Sequence, residues 1–205
     1  MSGTEENRNR LVDAAAEALV AGDGAFEVQE VATRAGLSVG LTYHRFGSKA
    51  GLIAAVVDRM YDQLLQAIDI PHWPTHDWGG RERERTRRFI DFVYENPVAA
   101  IVFSKLASEP EVVGVATERW NGVVQDGARN IAQGQRRGVL PRTTDPSRLS
   151  ALINGAVRHA VAQALAADPR PERDQLTDEV WSFIEAGLRI GPDPRAITTQ
   201  ALPES

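Results

Sequence analysis

The chain has 205 residues, room for one domain or two small ones, and its 42% hydrophobic and 25% charged residues are an ordinary globular balance that can pack a core. It lacks cysteine, which excludes disulfides and thiolate metal centres, and with no apolar stretch long enough to span a bilayer and no targeting segment a cytoplasmic location is expected. A formal net charge of −5 excludes a broadly basic surface, so any polyanion would have to be met by a focused patch.

Helical periodicity, without strand alternation or an internal repeat, predicts an all-α chain of about nine helices. Helix one covers Thr4–Ala21, with Leu11, Ala14, Ala15, Ala18 and Leu19 on one stripe and Gly22 and Gly24 beyond its end. A short second helix carries Val28, Val31, Ala32 and Ala35 and stops at Gly36. The third runs from Val39 to Phe46, with Ser38 as N-cap and Gly47 as its close. Ser48 can cap a fourth helix from Lys49 to about Ile70, in which Leu52, Ile53, Val56, Val57, Met60, Leu64 and Ile68 recur at three and four. Proline punctuates everything that follows. It is tolerated in a helix's first turn and excluded from its interior. A Pro/Trp/Gly-rich loop covers 71–80, and helix five spans Arg81–Glu95. Asn96-Pro97 starts helix six, to about Ala107, and Pro110 starts a long helix seven, to about Arg137. Asp145 and Pro146 start helix eight, to about Ala167; helix nine is Arg173–Leu188, and 191–205 reads as a loose tail.

Helices two and three, joined at Gly36, have the grammar of a helix-turn-helix, whose second helix is shaped for a DNA major groove. On a helix advancing about 100° per residue, Phe46 anchors the core with Thr42 beside it. Gly40, Leu41 and His44 are then left for the groove, with Val39 at the helix start and Tyr43 at the edge, its hydroxyl toward a phosphate. Lys49, at the N-terminus of helix four, and Arg45 and Arg34 are further phosphate candidates. Within residues 28–49 these three cations face one carboxylate, Glu30, whereas residues 1–27 hold two arginines against six acidic residues. Phosphate attraction is therefore focused and modest. The same spacing also suits a helical hairpin that merely packs.

The segment from Leu11 to Leu64 resembles the N-terminal domain of the TetR family of bacterial transcriptional regulators, through Val31-Ala32, Ala35-Gly36-Leu37-Ser38, Gly40, Tyr43, Phe46, Ser48-Lys49 and Leu52. The chain departs from that pattern at Leu41-Thr42, at Arg45, where histidine is frequent, and at Glu27, a poor N-cap. The resemblance implies a helix-turn-helix DNA-binding domain at 1–49, a ligand-binding and dimerisation domain at 50–190 reached through helix four, and the tail. Its implied partners are a double-stranded DNA operator, a small-molecule effector and a second copy of the chain, with no membrane and no cofactor. The expected function is a ligand-responsive repressor that binds a palindromic operator as a homodimer.

The family pairs its last two helices with their symmetry mates. Leu152, Ala156 and Ala160 on helix eight and Val180, Ile184 and Leu188 on helix nine are the interface candidates, although such stripes equally suit the protomer's own core. Met60, Phe89, Phe92, Phe103, Trp120 and Val124 are candidates for an effector pocket, with plain core as the alternative, and Trp73 and Trp78 in the loop for its mouth. His72, His76 and Asp77 are close in sequence but lie in a proline-bearing loop, and no metal is expected. Arg81 to Arg88 alternates in sign and reads as a self-paired solvated face, with an acidic ligand as the alternative. No nucleophile elbow, phosphate loop, dinucleotide fingerprint or helical zinc pair points to an enzyme. A protein-docking module is the competing reading, and an enzyme with a dispersed site a more distant one.

Overall fold

The computed structural model describes residues 3–73, 77–106, 110–142 and 144–188. Among them are nine helices: α1 (Gly3–Ala21), α2 (Val28–Arg34), α3 (Val39–Phe46), α4 (Lys49–Ile68), α5 (Trp78–Glu95), α6 (Pro97–Ser104), α7 (Pro110–Arg136), α8 (Pro146–Ala166) and α9 (Arg173–Leu188). The expected tail at 191–205 lies outside the described residues.

Local chemistry accounts for most boundaries. Ser38, Ser48, Asp77, Asn96 and Asp145 each accept a bond from a backbone N–H in the first turn of the helix they precede, satisfying a donor that would otherwise be orphaned. Glu27 makes no such bond before α2. Pro97 and Pro146 occupy first-turn positions. The turn between α2 and α3 uses Gly36 at φ +64°, and α3 closes on Gly47 at φ +74°, in the left-handed region that side chains disfavour. The largest differences from expectation are at the end of α6, which stops at Ser104 and not near Ala107, and at the start of α5. α5 starts three residues before Arg81, because Asp77 accepts the Gly80 N–H at 2.8 Å and a Cβ at 80 would sit 2.0 Å from its carboxylate. Trp78 is therefore a buried helical residue and not part of a loop.

One continuous core joins the helix-turn-helix to the rest of the chain. Leu11, Ala15 and Leu19 of α1 bury against α2 and α4, and α4 continues into the C-terminal half through Val57, Met60, Tyr61 and Leu64. Met60 and Phe103 are almost fully buried there. Phe103 makes tilted or edge-on ring contacts with Tyr61, Phe89 and Trp120 at 6.3, 5.8 and 5.9 Å. α5 packs on α4 and α9, and α7 packs on α4 and α8.

The arginine run divides. Arg83 pairs with Asp178, and Arg87 and Arg88 with Glu84, all on the outside. Hydrogen bonding from Arg87, then from Arg88, holds the Glu84 carboxyl down to about 2. Arg81 and Arg85 both pair with Glu82, which faces the cavity described below.

Candidate nucleic-acid interface, effector cavity and dimer face

α3 is held from behind. Thr42 is its one buried residue, its hydroxyl donating to the Ser38 carbonyl at 3.2 Å, and Phe46 packs half-buried against the core. Arg10 of α1 donates to the Ala35 carbonyl at 2.5 Å and ties down the turn ahead of it. The outer face is then Gly40, Tyr43 and His44, all exposed, Tyr43 by 47% of its surface. Beyond Gly40 an added Cβ meets nothing nearer than the Ser38 hydroxyl at 4.0 Å, so the helix has an open flank for close approach. Val39 and Leu41 are half-buried, Val39 packed on the core, so they sit at the edges of that face while Tyr43 stands near its middle. This reverses the order expected from the helical wheel.

The cations differ in availability. Lys49, in the first turn of α4, holds its ammonium 5.4 Å from the centre of the Phe26 ring, a cation–π contact that parks it beside the N-terminus of α4. Arg45 is half-buried, and its Nε has no hydrogen-bond partner among the described residues. Arg34 is committed to Glu30 at 2.9 Å and Glu17 at 3.4 Å, which makes it the least available of the three.

Gly51 couples this surface to α4. A Cβ at 51 would lie 2.0 Å from the Phe46 carbonyl oxygen, a backbone atom at the end of α3 that cannot swing aside. Gly51→Ala is expected to shift α3 on α4, to destabilise the domain by about 1–3 kcal/mol, and to weaken DNA binding more than Ala50→Gly does. Chemical denaturation and a binding titration on one duplex check both effects.

A cavity of about 590 Å³ lies among α4, α5, α7, α8 and α9, within the ~300–1,000 Å³ usual for small-molecule sites. Trp78, Phe89 and Trp120 line it, Trp78 from the first turn of α5 and not from a loop at its mouth. Met60, Phe92, Phe103 and Val124 do not: they belong to the core or pack against it, because at helical spacing their stripe turns toward neighbouring helices. Trp73 is also displaced. Its indole donates to the Asp77 carbonyl at 2.9 Å, beside a shallow polar groove with Arg83, Arg87 and Thr177. Asp77 caps a helix, His72 is exposed and His76 lies outside the described residues.

The polar lining includes Glu82, Arg85 and Thr86, from the run whose alternative reading was an acidic ligand, and Asn130, Ser150 and Asn154, which were missed from sequence. A signal existed. Ser150 and Asn154 stand four apart on the apolar side of α8, where a polar pair needs partners. Ser150, fully buried, donates to the Val124 carbonyl at 2.7 Å, and Asn154 donates to the Ser150 carbonyl at 2.9 Å. Gly127 makes room: a Cβ there would be 2.5 Å from the Ser150 hydroxyl.

The large apolar residues of α8 and α9 left in solvent are Leu152, 67% exposed, and Phe183, 53% exposed. Ala156 and Ala160 are half-buried beside them. Val180, Ile184 and Leu188 are buried inside the protomer, and the last two line the cavity, so they are withdrawn as interface candidates. Helix nine has two apolar stripes, and the one repeating every four residues turned inward.

Residues 11–56 match the pattern described as "Bacterial regulatory proteins, tetR family". The chain is 34% identical over 128 residues to the HTH-type transcriptional activator FasR of Mycolicibacterium smegmatis, a match covering 60% of this chain and 58% of FasR, so it spans little more than half of that relative's length. A TetR-family transcriptional regulator of Pectobacterium atrosepticum superimposes with a TM-score of 0.71 at 25% identity, covering 94% of this chain and 98% of that one. The transcriptional regulator FadR of Bacillus subtilis, solved in complex with stearoyl-CoA, shares the fold with a TM-score of 0.75 at 18% identity over 87% and 97% of the two chains. The helix-turn-helix from Leu11 to Val56 thus matches that of the tetR family of bacterial regulatory proteins, and the chain shares the fold of a TetR-family transcriptional regulator along nearly its whole length.

Proposed function

We propose that the chain is a cytoplasmic, one-component transcriptional regulator. Its homodimer grips a palindromic operator through two copies of α3 and loosens that grip when a small molecule enters the cavity. The observation that carries this reading is the outward face of α3: Gly40, Tyr43 and His44 stand in solvent on a helix whose opposite side is buried at Thr42. A two-fold dimer sets its recognition helices about 34–36 Å apart, one turn of duplex. Because α4 runs unbroken from the helix-turn-helix to the cavity, which Leu65 and Ile68 help to line, a ligand that displaces its C-terminal end changes that separation.

The expected output is repression. FasR is named an activator, so the sign is read from a reporter placed behind the operator. A mobility-shift titration against duplexes from upstream of the chain's own gene and its neighbours is the direct test. A specific shift on one of them supports the reading, and uniform weak binding to all of them defeats it.

Dimerisation rests on Leu152 and Phe183. Phe183→Asp places an unpaired carboxylate in the centre of the proposed seam and is expected to yield monomers by sedimentation, with operator affinity reduced at least about tenfold. A variant that remains dimeric places the seam elsewhere.

A further inference from the structure

The cavity has a polar wall whose hydrogen-bonding sense is set by its neighbours. Arg81 can only donate, so its bond to the Asn130 side chain turns Oδ1 toward it and leaves the Nδ2 donors without a partner among the described residues. Glu82 is shared: Arg81 Nε donates to it at 2.9 Å, and Arg85 Nη1 reaches both oxygens at 2.7 and 2.6 Å. Two guanidiniums thus meet one carboxylate, which leaves this wall positive. Arg85 gives its Nε to the Ile68 carbonyl at 3.3 Å, and its Nη2 makes no bond among the described residues. Arg85, Glu82 and Asn130 all line the cavity. Its two other carboxylates, Asp69 and Asp126, stand at the exposed rim, and Asp126 is paired with Arg129. On α8, Asn154 donates to Ser150 and keeps only a neutral acceptor, Oδ1. Trp78, Phe89, Trp120, Ile131 and Val157 contribute apolar surface to the remaining lining.

We infer that the cavity takes an amphipathic molecule with an apolar body and an oxygen-acceptor head, a carboxylate or an acyl carbonyl, seated on Asn130 Nδ2 and Arg85, and that it rejects cationic heads. Charge-assisted bonds from a guanidinium favour such a head. An ammonium finds Glu82 already engaged and two like charges behind it. This assignment rests on the effector-responsive reading above and names the ligand class for that same cavity.

Decanoate, decanamide and decylammonium share a tail and differ in the head. Their binding to the full chain, below micellar concentrations, is read by calorimetry and by the fluorescence of Trp78 and Trp120. Decanoate and decanamide are expected to bind at least about tenfold more tightly than decylammonium. Asn130→Asp keeps an acceptor for Arg81 but replaces the Nδ2 donor with an oxygen, and it is expected to weaken decanoate at least about tenfold with an unchanged circular dichroism spectrum. Should that variant not fold, Arg85→Gln reads the same wall. Decylammonium binding as tightly as decanoate overturns the assignment. So does a decanoate affinity unmoved by the folded variant, or no binding of either acyl probe. Operator release is followed separately by mobility shift. An acyl probe that binds without releasing DNA removes the effector reading and leaves the ligand class standing. Release by decylammonium alone does the opposite.

Discussion

Phe103→Ala is expected to lower the unfolding free energy by about 3–5 kcal/mol, the cost of removing a fully buried aromatic ring from a core that closes only partly over the space. Phe103 is 1% exposed and stands where Tyr61, Phe89 and Trp120 converge. Truncation forfeits all three ring contacts as well as the cation–π contact with Arg158, 6.0 Å away. It also disturbs Tyr61, whose buried hydroxyl has no partner among the described residues and whose pKa is pushed up by that burial. At roughly 2–4 °C per kcal/mol for a chain of this size, the thermal midpoint should fall by about 6–20 °C at fixed protein concentration. Phe103 was an effector candidate on sequence, and the two roles make opposite forecasts. A core residue costs stability. A residue on a cavity wall costs little stability and alters ligand affinity. A shift of only a degree or two, accompanied by altered affinity, would return Phe103 to the pocket.

The second large effect is expected from reversing both available cations, Arg45→Glu with Lys49→Glu. Each change removes a phosphate partner and adds a repulsive charge beside the duplex, so binding should weaken on every sequence and not only on the operator. The salt dependence is the sharper readout: its slope should become shallower by about 0.9 for each phosphate that the protein no longer neutralises. Arg34→Glu provides the contrast. Arg34 already spends its charge on Glu17 and Glu30, so its replacement should affect DNA binding least and the α1–α2 contact most. If the double reversal lowers operator affinity while leaving the salt slope intact, the cations act by holding the domain together, and α3 docks something other than DNA. Because Arg45 is half-buried, a circular dichroism spectrum identical to that of the parent chain is part of this measurement.

Helix boundaries were legible because their causes are local. A serine that caps its own helix, a glycine required at φ +64° or +74° and a proline with no N–H to lose act on residues a few positions away. The nine-helix order and the helix-turn-helix followed from these, but the facing of α3 did so only in part: Gly40 and His44 stand outward, whereas Leu41, placed in the groove from sequence, is half-buried and Tyr43, placed at the edge, is exposed. The start of α5 was not legible: the Gly79-Gly80 pair reads as a loop, and only the folded chain shows Asp77 accepting the Gly80 N–H and so capping the helix.

What local chemistry could not settle was the facing of each apolar stripe. Met60, Phe103, Val180, Ile184 and Leu188 carry the same periodic signature whether they meet a ligand, a second protomer or their own core, because a helical repeat specifies a side of one helix and is silent on what lies opposite. The packing of α4, α5, α8 and α9 made that choice: it sank Val180, Ile184 and Leu188 and left Leu152 and Phe183 in solvent. The donor wall of the cavity arose in the same way, since Glu82 and Asn130 stand 48 positions apart in the chain and only folding brings both to one surface.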